Sequence, residues 1–202
     1  MSFHARSSAG GDPWEYLRRK ALEQFERHLE EGRVDEDIVD LLRLVNNTKN
    51  CYTTSSCSGR IQVSCGEHPG AKGRLVVVAK WHRTVSLQEL VSVLDSLQEE
   101  SVWLSVHPPI FHVVARDLSV ARKLLAGARN SGFKHSGIQG LGRRVVVEIM
   151  SMERLEVPIR VQGVEVVRRE SLPILLETAN EFLLRGKSRL GVLRKVFTEA
   201  CD

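Results

Sequence analysis

Between Arg60 and Ile149 the apolar residues of this chain change period every few positions, so no single kind of element accounts for the fold. Ile61, Val63 and Cys65 alternate with Arg60, Gln62 and Ser64, the period of a half-buried strand. Leu75 to Val78 is apolar at every position and reads as a strand buried on both faces. Ser86 and Glu89 then form a capping box in front of Leu87, Leu90, Val91, Leu94 and Leu97, a one-sided helix. Val102, Leu104 and Val106 resume the strand period until Pro108-Pro109 ends it, and Ile110 to Ala115 forms another strand. A helix with Leu118, Ala121, Leu124, Leu125 and Ala128 follows, capped by Asp117 or Ser119 and ended by Gly132. Val145 to Ile149 is a strong strand with Glu148 inside it, and Leu155 to Val167 suggests a further strand or hairpin.

Helical spacing returns at both ends. Asp12-Pro13 reads as an N-cap and first turn ahead of Trp14, Leu17, Ala21, Phe25 and Leu29, and Gly32 closes that helix. Asp35 is expected to cap a second helix, which Asn46-Asn47 stops; Asn46 is placed to hydrogen-bond the loop after it. Ser171 begins a helix through Leu184, Gly186 is expected to break it, and Ser188 starts a last short helix. The expected class is α+β: a mixed sheet covered by helices, with helices at both chain ends. The strand–helix–strand order permits both parallel crossovers and antiparallel pairing. Residues 1–11, polar and rich in glycine, are expected to be a disordered tail; 12–202 is expected to be a single domain, with 171–202 its C-terminal helices.

The polar stretch Thr53-Thr54-Ser55-Ser56-Cys57-Ser58-Gly59-Arg60 does not fit a packing role. It has almost no apolar area to bury, but it is dense in hydroxyls, backbone donors and a guanidinium fork suited to carboxylate or phosphate. The signatures G-x-S-x-G, H-E-x-x-H and the phosphate-binding G-x-x-x-x-G-K are absent, and Gly140 and Gly142 precede a strand instead of following one, which argues against a Rossmann nucleotide site. What remains are polar residues at strand ends and loops: Ser55, Ser56, Cys57, Ser58, Gly59 and Arg60, then Lys80, Trp81 and His82, then His107, Arg116 and Asp117, then Lys134 and Ser136, with Glu148 on its strand. Trp81 suits either a core or a stacking surface beside cations, and Cys57 is either a buried thiol or a nucleophile assisted by Arg60.

The net charge of +4 and pI near 9.0 permit an anionic partner. Cys51, Cys57, Cys65 and Cys201 include no C-x-x-C pair and are expected to be reduced thiols in a cytoplasmic protein. Cys57, Cys65 and His68 match no common zinc spacing, so no metal is expected, and no apolar run is long enough to span a membrane.

The run from Tyr52 to Arg60, preceded by Val34-Asp35-Glu36 and Val45-Asn46, resembles the N-terminal signature of the wybutosine-synthesis tRNA methyltransferase family. Lys80-Trp81-His82, the Trp103-to-Asp117 block, Gly132-Phe133-Lys134-x-Ser136-Gly137-Ile138 and Leu155-Glu156-Val157-Pro158 follow in that family's order, and the resemblance covers roughly residues 14–170. It implies an S-adenosylmethionine-dependent enzyme outside the Rossmann methyltransferases. Its target would be ring nitrogen N(4) of the demethylated wyosine-type base beside the anticodon of phenylalanine tRNA. His82, Glu148 and Asp117 are then candidate bases for the ring proton, Arg60 a partner for a carboxylate, and Lys80, Arg116 and Lys134 candidates for the RNA backbone. A non-catalytic RNA-binding module of the same fold is the alternative.

Overall fold

The computed structural model describes residues 12–69 and 73–202; the tail expected over 1–11 lies outside them. The elements in chain order are α1 (Pro13–Glu30), α2 (Val39–Asn47), β1 (Cys51–Cys57), β2 (Arg60–Gly66), β3 (Leu75–Trp81), α3 (Leu87–Asp95), β4 (Val102–His107), β5 (Ile110–Ala115), α4 (Leu118–Asn130), β6 (Gly137–Leu141), β7 (Val145–Met150), β8 (Leu155–Val161), β9 (Val164–Glu165), α5 (Leu172–Ser188) and α6 (Leu190–Cys201). The class is α+β with helices at both ends, and the strands divide into two sheets, ordered β1-β5-β7-β6 and β3-β2-β4-β8-β9, with every pairing antiparallel.

Both readings of the strand–helix–strand units hold in part. β3 and β4 each run antiparallel to β2 and lie either side of it, so they are parallel to one another and α3 is their crossover. β5 and β6 have the same relation across β7, with α4 as crossover. Each unit is a β–α–β with an antiparallel strand inserted.

The sheets are joined through one two-stranded ribbon. β1 pairs with β5 in the first sheet, β2 with β4 in the second, and the register runs across the gap from Cys57↔Ile110 to Arg60↔His107. Ser58-Gly59 therefore faces Pro108-Pro109. A proline has no N–H to give a ladder, so the ribbon loses its cross-strand bonds there and turns from one sheet into the other. Gly59 has φ +94°, and a Cβ on it would stand 3.2 Å from both the His107 carbonyl and Pro109. Only glycine both adopts that backbone and clears the prolines.

Helices α2, α4 and α6 bury their apolar sides on the first sheet with Phe111, Val113, Val147 and Ile149, while α3 and α5 pack on Ile61, Val63, Leu104 and Val106 of the second. Each such fully buried side chain contributes about 1.5–3 kcal/mol over its exposed state. The capping box at Ser86/Glu89, the Asp12 cap and the Asp117 cap form as expected.

Several expectations fail for physical reasons. The all-apolar β3 is an edge strand, with Val76 66%, Val77 45% and Val78 42% exposed, because a short apolar run carries no sign of which strand edge stays open. Gly186 does not break α5; the helix continues through it because a Cβ there would meet Pro109 Cδ at 2.8 Å, so the glycine admits the proline against the helix. Asp35 does not cap its helix, which begins with a 3₁₀ turn at Glu36–Ile38; its carboxylate is used elsewhere.

The four cysteines are not all reduced thiols. Cys51 at the start of β1 is bonded to Cys201 at the end of α6, a pairing 150 residues apart that no spacing rule reads, while Cys57 and Cys65 are free and buried. The Asn50 N–H also donates to the Cys201 carbonyl at 3.0 Å, so the chain end is tied to the motif-bearing strand twice. A closed loop of that length constrains the unfolded chain by about 5 kcal/mol in the loop-entropy relation. The Cys51→Ser/Cys201→Ser variant, or reductant, should lower unfolding free energy by several kcal/mol in urea titrations; equal midpoints with and without reductant would remove the bond from the stability account.

Candidate active site

The polar run opens at a β-bulge. Thr53 pairs with Val113, but the register shifts so that Ser55 pairs with His112. Residues two apart in a strand share a face; the extra residue, Thr54, turns Ser55 over onto the face opposite the helices. Thr53 stays anchored on the helix side, where its N–H and hydroxyl both donate to the Asn46 side chain at 2.8 and 3.0 Å, as the sequence suggested for Asn46.

On the open face three polar residues lie side by side across β1, β5 and β7. Ser55 Oγ is 2.7 Å from His112 Nδ1, His112 Nε2 is 2.8 Å from Glu148 Oε2, and Gln139 donates to the other Glu148 oxygen at 2.9 Å. The tautomer protonated on Nε2 satisfies both histidine contacts: Ser55 donates to Nδ1 and Nε2–H donates to Glu148. Glu148 is thus held among neighbours rather than facing bulk solvent, and it reaches Ser55 through His112. Ser55 and Ser56 also line a cavity of about 460 Å³ between α1 and β1.

Beyond Cys57 the run enters the ribbon joint. Asp35 accepts from the Ser58 N–H at 2.7 Å with one oxygen, and the other lies 2.7 Å from His82 Nδ1. That second contact is close but poorly aligned for a hydrogen bond, since Nδ1 has no partner of good geometry. Burial works to raise the Asp35 carboxyl, but the Ser58 N–H and the His82 ring together outweigh it and hold it below its ordinary value. Lys187, from the end of α5, donates to Ser58 Oγ at 2.9 Å and pairs with Asp37. Arg60 donates to Gln62 at 3.0 Å and to the Cys57 sulfur at 3.6 Å, and has no carboxylate partner among the described residues.

Burial pushes the Cys57 thiol up; the Gly59 N–H opposes it, the Asp35 charge adds to it, and Arg60 pulls the other way. The sulfur is therefore a neutral thiol, unsuited to be a nucleophile. Donor atoms of Asp35, Cys57 and His82 lie within 4.8 Å of one another. Those donor types suit a zinc-like ion, but Asp35 already accepts from the Ser58 N–H and the Arg60 cation stands beside the sulfur. Cys65 is at the other end of β2, away from this group.

Of the other candidates, Trp81 pairs with Ile61 and Lys80 with Gln62, which keeps both beside the joint. His107 faces Arg60 across the ladder. Asp117 and Arg116 lie past Ala115, which pairs with Cys51 at the opposite end of the ribbon from Cys57; Asp117 caps α4 and Arg116 pairs with Asp12 at 3.4 Å. Ser136 is buried and structural, donating to Phe133 and accepting from the Met150 N–H, while Lys134 is exposed on the same turn. Sequence patterns did not mark Asp35, His112, Gln139, Lys187 or Arg144 as site residues. His112 carried the same signal as Glu148, a polar residue in an apolar strand; Lys187 and Arg144 carried none.

A family model described as Methyltransferase TYW3 matches residues 16–199. A Pyrococcus furiosus protein named tRNA(Phe) 7-((3-amino-3-carboxypropyl)-4-demethylwyosine(37)-N(4))-methyltransferase 2 is 42% identical over 182 residues, covering 90% of this chain and 88% of its own. An Archaeoglobus fulgidus protein named as the same methyltransferase is 38% identical, covering 90% of this chain and 92% of its own. The solved structure of the PH1069 protein from Pyrococcus horikoshii superposes with a TM-score of 0.85 at 38% identity, covering 91% of this chain and 95% of that one.

Burial, then the like charges of Arg60 and Arg154, push His107 down to about 4, with Glu156 opposing only in part. A histidine depressed on folding stays neutral while the unfolded chain takes up its proton. Its contribution is complete above pH 6.5 and is lost as pH falls toward 4, by about 2 kcal/mol after allowance for its partial exposure. Urea midpoints should fall over that window in the wild type, and the His107→Gln variant should flatten the slope; an equally steep profile in the variant would assign the effect to other groups.

Proposed function

The chain belongs to the Methyltransferase TYW3 family, and we propose that it methylates ring nitrogen N(4) of the demethylated, aminocarboxypropyl-bearing wyosine base at position 37 of phenylalanine tRNA. The observation that carries the reading is the row Ser55–His112–Glu148, opening at the cavity that the polar run lines. A ring nitrogen bearing hydrogen is a poor nucleophile until its proton leaves, and this row offers a path for it. Ser55 Oγ accepts the ring proton as its own passes to His112 Nδ1, and Glu148 holds the imidazolium through Nε2–H, itself fixed by Gln139. The nitrogen lone pair would then bond to the methyl carbon as the methyl–sulfur bond breaks, its electron pair leaving on sulfur as a neutral thioether. The second candidate base, His82, is engaged with Asp35 and is better suited to fixing the Ser58–Arg60 turn.

S-adenosylmethionine, when bound, supplies a methyl group activated by its sulfonium. The residues at the joint fit such a molecule: the Arg60 fork has no acidic partner of its own and suits an amino-acid carboxylate. The described residues include no helix long and apolar enough to cross a membrane. We place the reaction in the cytoplasm at the anticodon loop, where unstacked bases are accessible. The Cys51–Cys201 bond is compatible with that compartment in organisms whose intracellular proteins carry disulfides, hyperthermophilic archaea among them.

Mass spectrometry of demethylated tRNA incubated with the protein and methyl-labelled cofactor should show one added methyl group on the base. His112→Gln and Glu148→Gln should each slow single-turnover methylation by about 100-fold while leaving tRNA affinity unchanged. Turnover at the wild-type rate in both variants would sink the relay, and absence of label with wild-type protein would sink the function.

A further inference from the structure

The cavity between α1 and β1 is lined by cations and hydroxyls. It measures about 460 Å³, in the range of small-molecule sites. Its lining includes Lys20, His28, Arg33 and Arg144 and not one aspartate or glutamate. The chain as a whole has 29 Lys and Arg against 25 Asp and Glu, so an acid-free lining is not its average character. A second cavity of about 480 Å³ behind α3 shows the contrast, with Asp95, Glu99, Glu100 and Glu165 in its walls.

Two of these cations lack a carboxylate partner among the described residues. Arg33 pairs with Glu31 at 3.0 Å, but Lys20 and Arg144 are exposed and join no ion pair among the described residues. Lys20 Nζ stands 5.1 Å from the centroid of the Tyr16 ring, a cation–π contact on an exposed side chain. Arg144 comes from the β6–β7 turn, and its charge partly opposes the upward push that burial gives the Tyr52 phenol. The hydroxyls of Thr54, Ser55 and Ser56 complete the polar rim, while Leu17, Phe25 and Leu42 make an apolar wall.

We propose that this cavity is the binding site for the phosphate-bearing target nucleotide of the RNA, and not for the cofactor. The proposal rests on the tRNA-methyltransferase reading and assigns one ligand of that reaction to one place. Unpaired guanidinium and ammonium groups with hydroxyls beside them bind phosphodiester oxygens. The apolar wall suits the flat face of a base. A polyanionic RNA gains more from this lining than a cofactor of net positive charge, whose one carboxylate has the Arg60 fork at the joint. Ser55, the first member of the proton relay, lies in the same lining, so a nucleotide held there has its ring nitrogen within reach of the group that takes its proton.

The test separates the two ligands. Lys20→Gln, Arg144→Gln and the double variant change exposed side chains only, and unchanged melting temperatures would verify their folds. Binding of phenylalanine tRNA carrying the demethylated base is measured across salt concentrations, and binding of S-adenosylmethionine by calorimetry. Removing one phosphate-binding cation should flatten the log–log salt dependence by ~0.7, so the double variant should lose about 1.4 and bind tRNA at least tenfold more weakly at low salt. Its cofactor affinity should stay within twofold of the wild type. An unchanged tRNA slope overturns the proposal, and so does a cofactor affinity that falls as far as the tRNA affinity does. Wild-type protein that binds tRNA with the full slope but no cofactor would overturn the methyltransferase reading and leave the nucleotide site standing.

Discussion

The structure depends on the meeting of Ser58-Gly59 with Pro108-Pro109. One antiparallel ribbon carries the register of both sheets, and at this point its cross-strand bonds are withdrawn. The loss would be costly in a packed interior, where buried backbone groups need partners. It is offset by side chains that come to the joint from distant elements. Asp35 accepts the Ser58 N–H, Lys187 reaches the Ser58 hydroxyl from α5, and α5 approaches Pro109 closely because residue 186 has no side chain. The groups that repair the break in the ladder are also the polar groups of the site, so folding and site assembly are one event.

The two chain ends serve that arrangement. α6 packs on α2 and α4, and its last residues are tied to the first residue of β1 by the Cys51–Cys201 bond and by the Asn50 N–H. β1 is an edge strand of its sheet, held on one side by β5 alone. Edge strands fray more readily than central ones, yet this one must hold Ser55 within hydrogen-bonding distance of His112. Anchoring its start to the far end of the chain limits that motion. The C-terminal helices therefore act on the site through Lys187 and through the disulfide.

Local features of the sequence were legible and relational ones were not. The helix starts at Asp12, Ser86 and Asp117 and most of the strands could be read because caps and apolar periods are written in adjacent residues. The candidate site was read from a run of hydroxyls, cysteine and glycine that has little apolar area to bury. Glu148 stood out as a carboxylate on a sheet, yet its partner His112 did not, since only the bulge at Thr54 brings Ser55 onto their face and a bulge leaves no mark in the period of one strand. Asp35 was read as a helix cap because a carboxylate ahead of a helix suits that role equally well; its use by Ser58 and His82 depends on tertiary approach. The exposure of Val76 to Val78, the role of Gly186 and the disulfide likewise depend on neighbours distant in sequence.

Charge is distributed differently on the two sides of the polar run. At the joint Asp35 lies against His82 and Lys187 pairs with Asp37, while Arg60 and Lys80 join no ion pair among the described residues. Across β1 the cavity keeps Lys20 and Arg144 unmatched. Matched charges fix geometry, because each partner restrains the other, whereas unmatched ones hold binding energy in reserve for a ligand of opposite sign. An enzyme that joins a cationic sulfonium to an anionic nucleic acid needs both kinds of surface close together, since one surface cannot attract both. Ser55 and Ser56 face the cavity and Ser58 and Arg60 the joint, so the eight-residue run at 53–60 forms the boundary between them. Its small side chains follow from that position: Thr54, Ser55 and Ser56 reach the cavity side, while Thr53, Cys57 and Ser58 are buried and hydrogen-bonded within the fold.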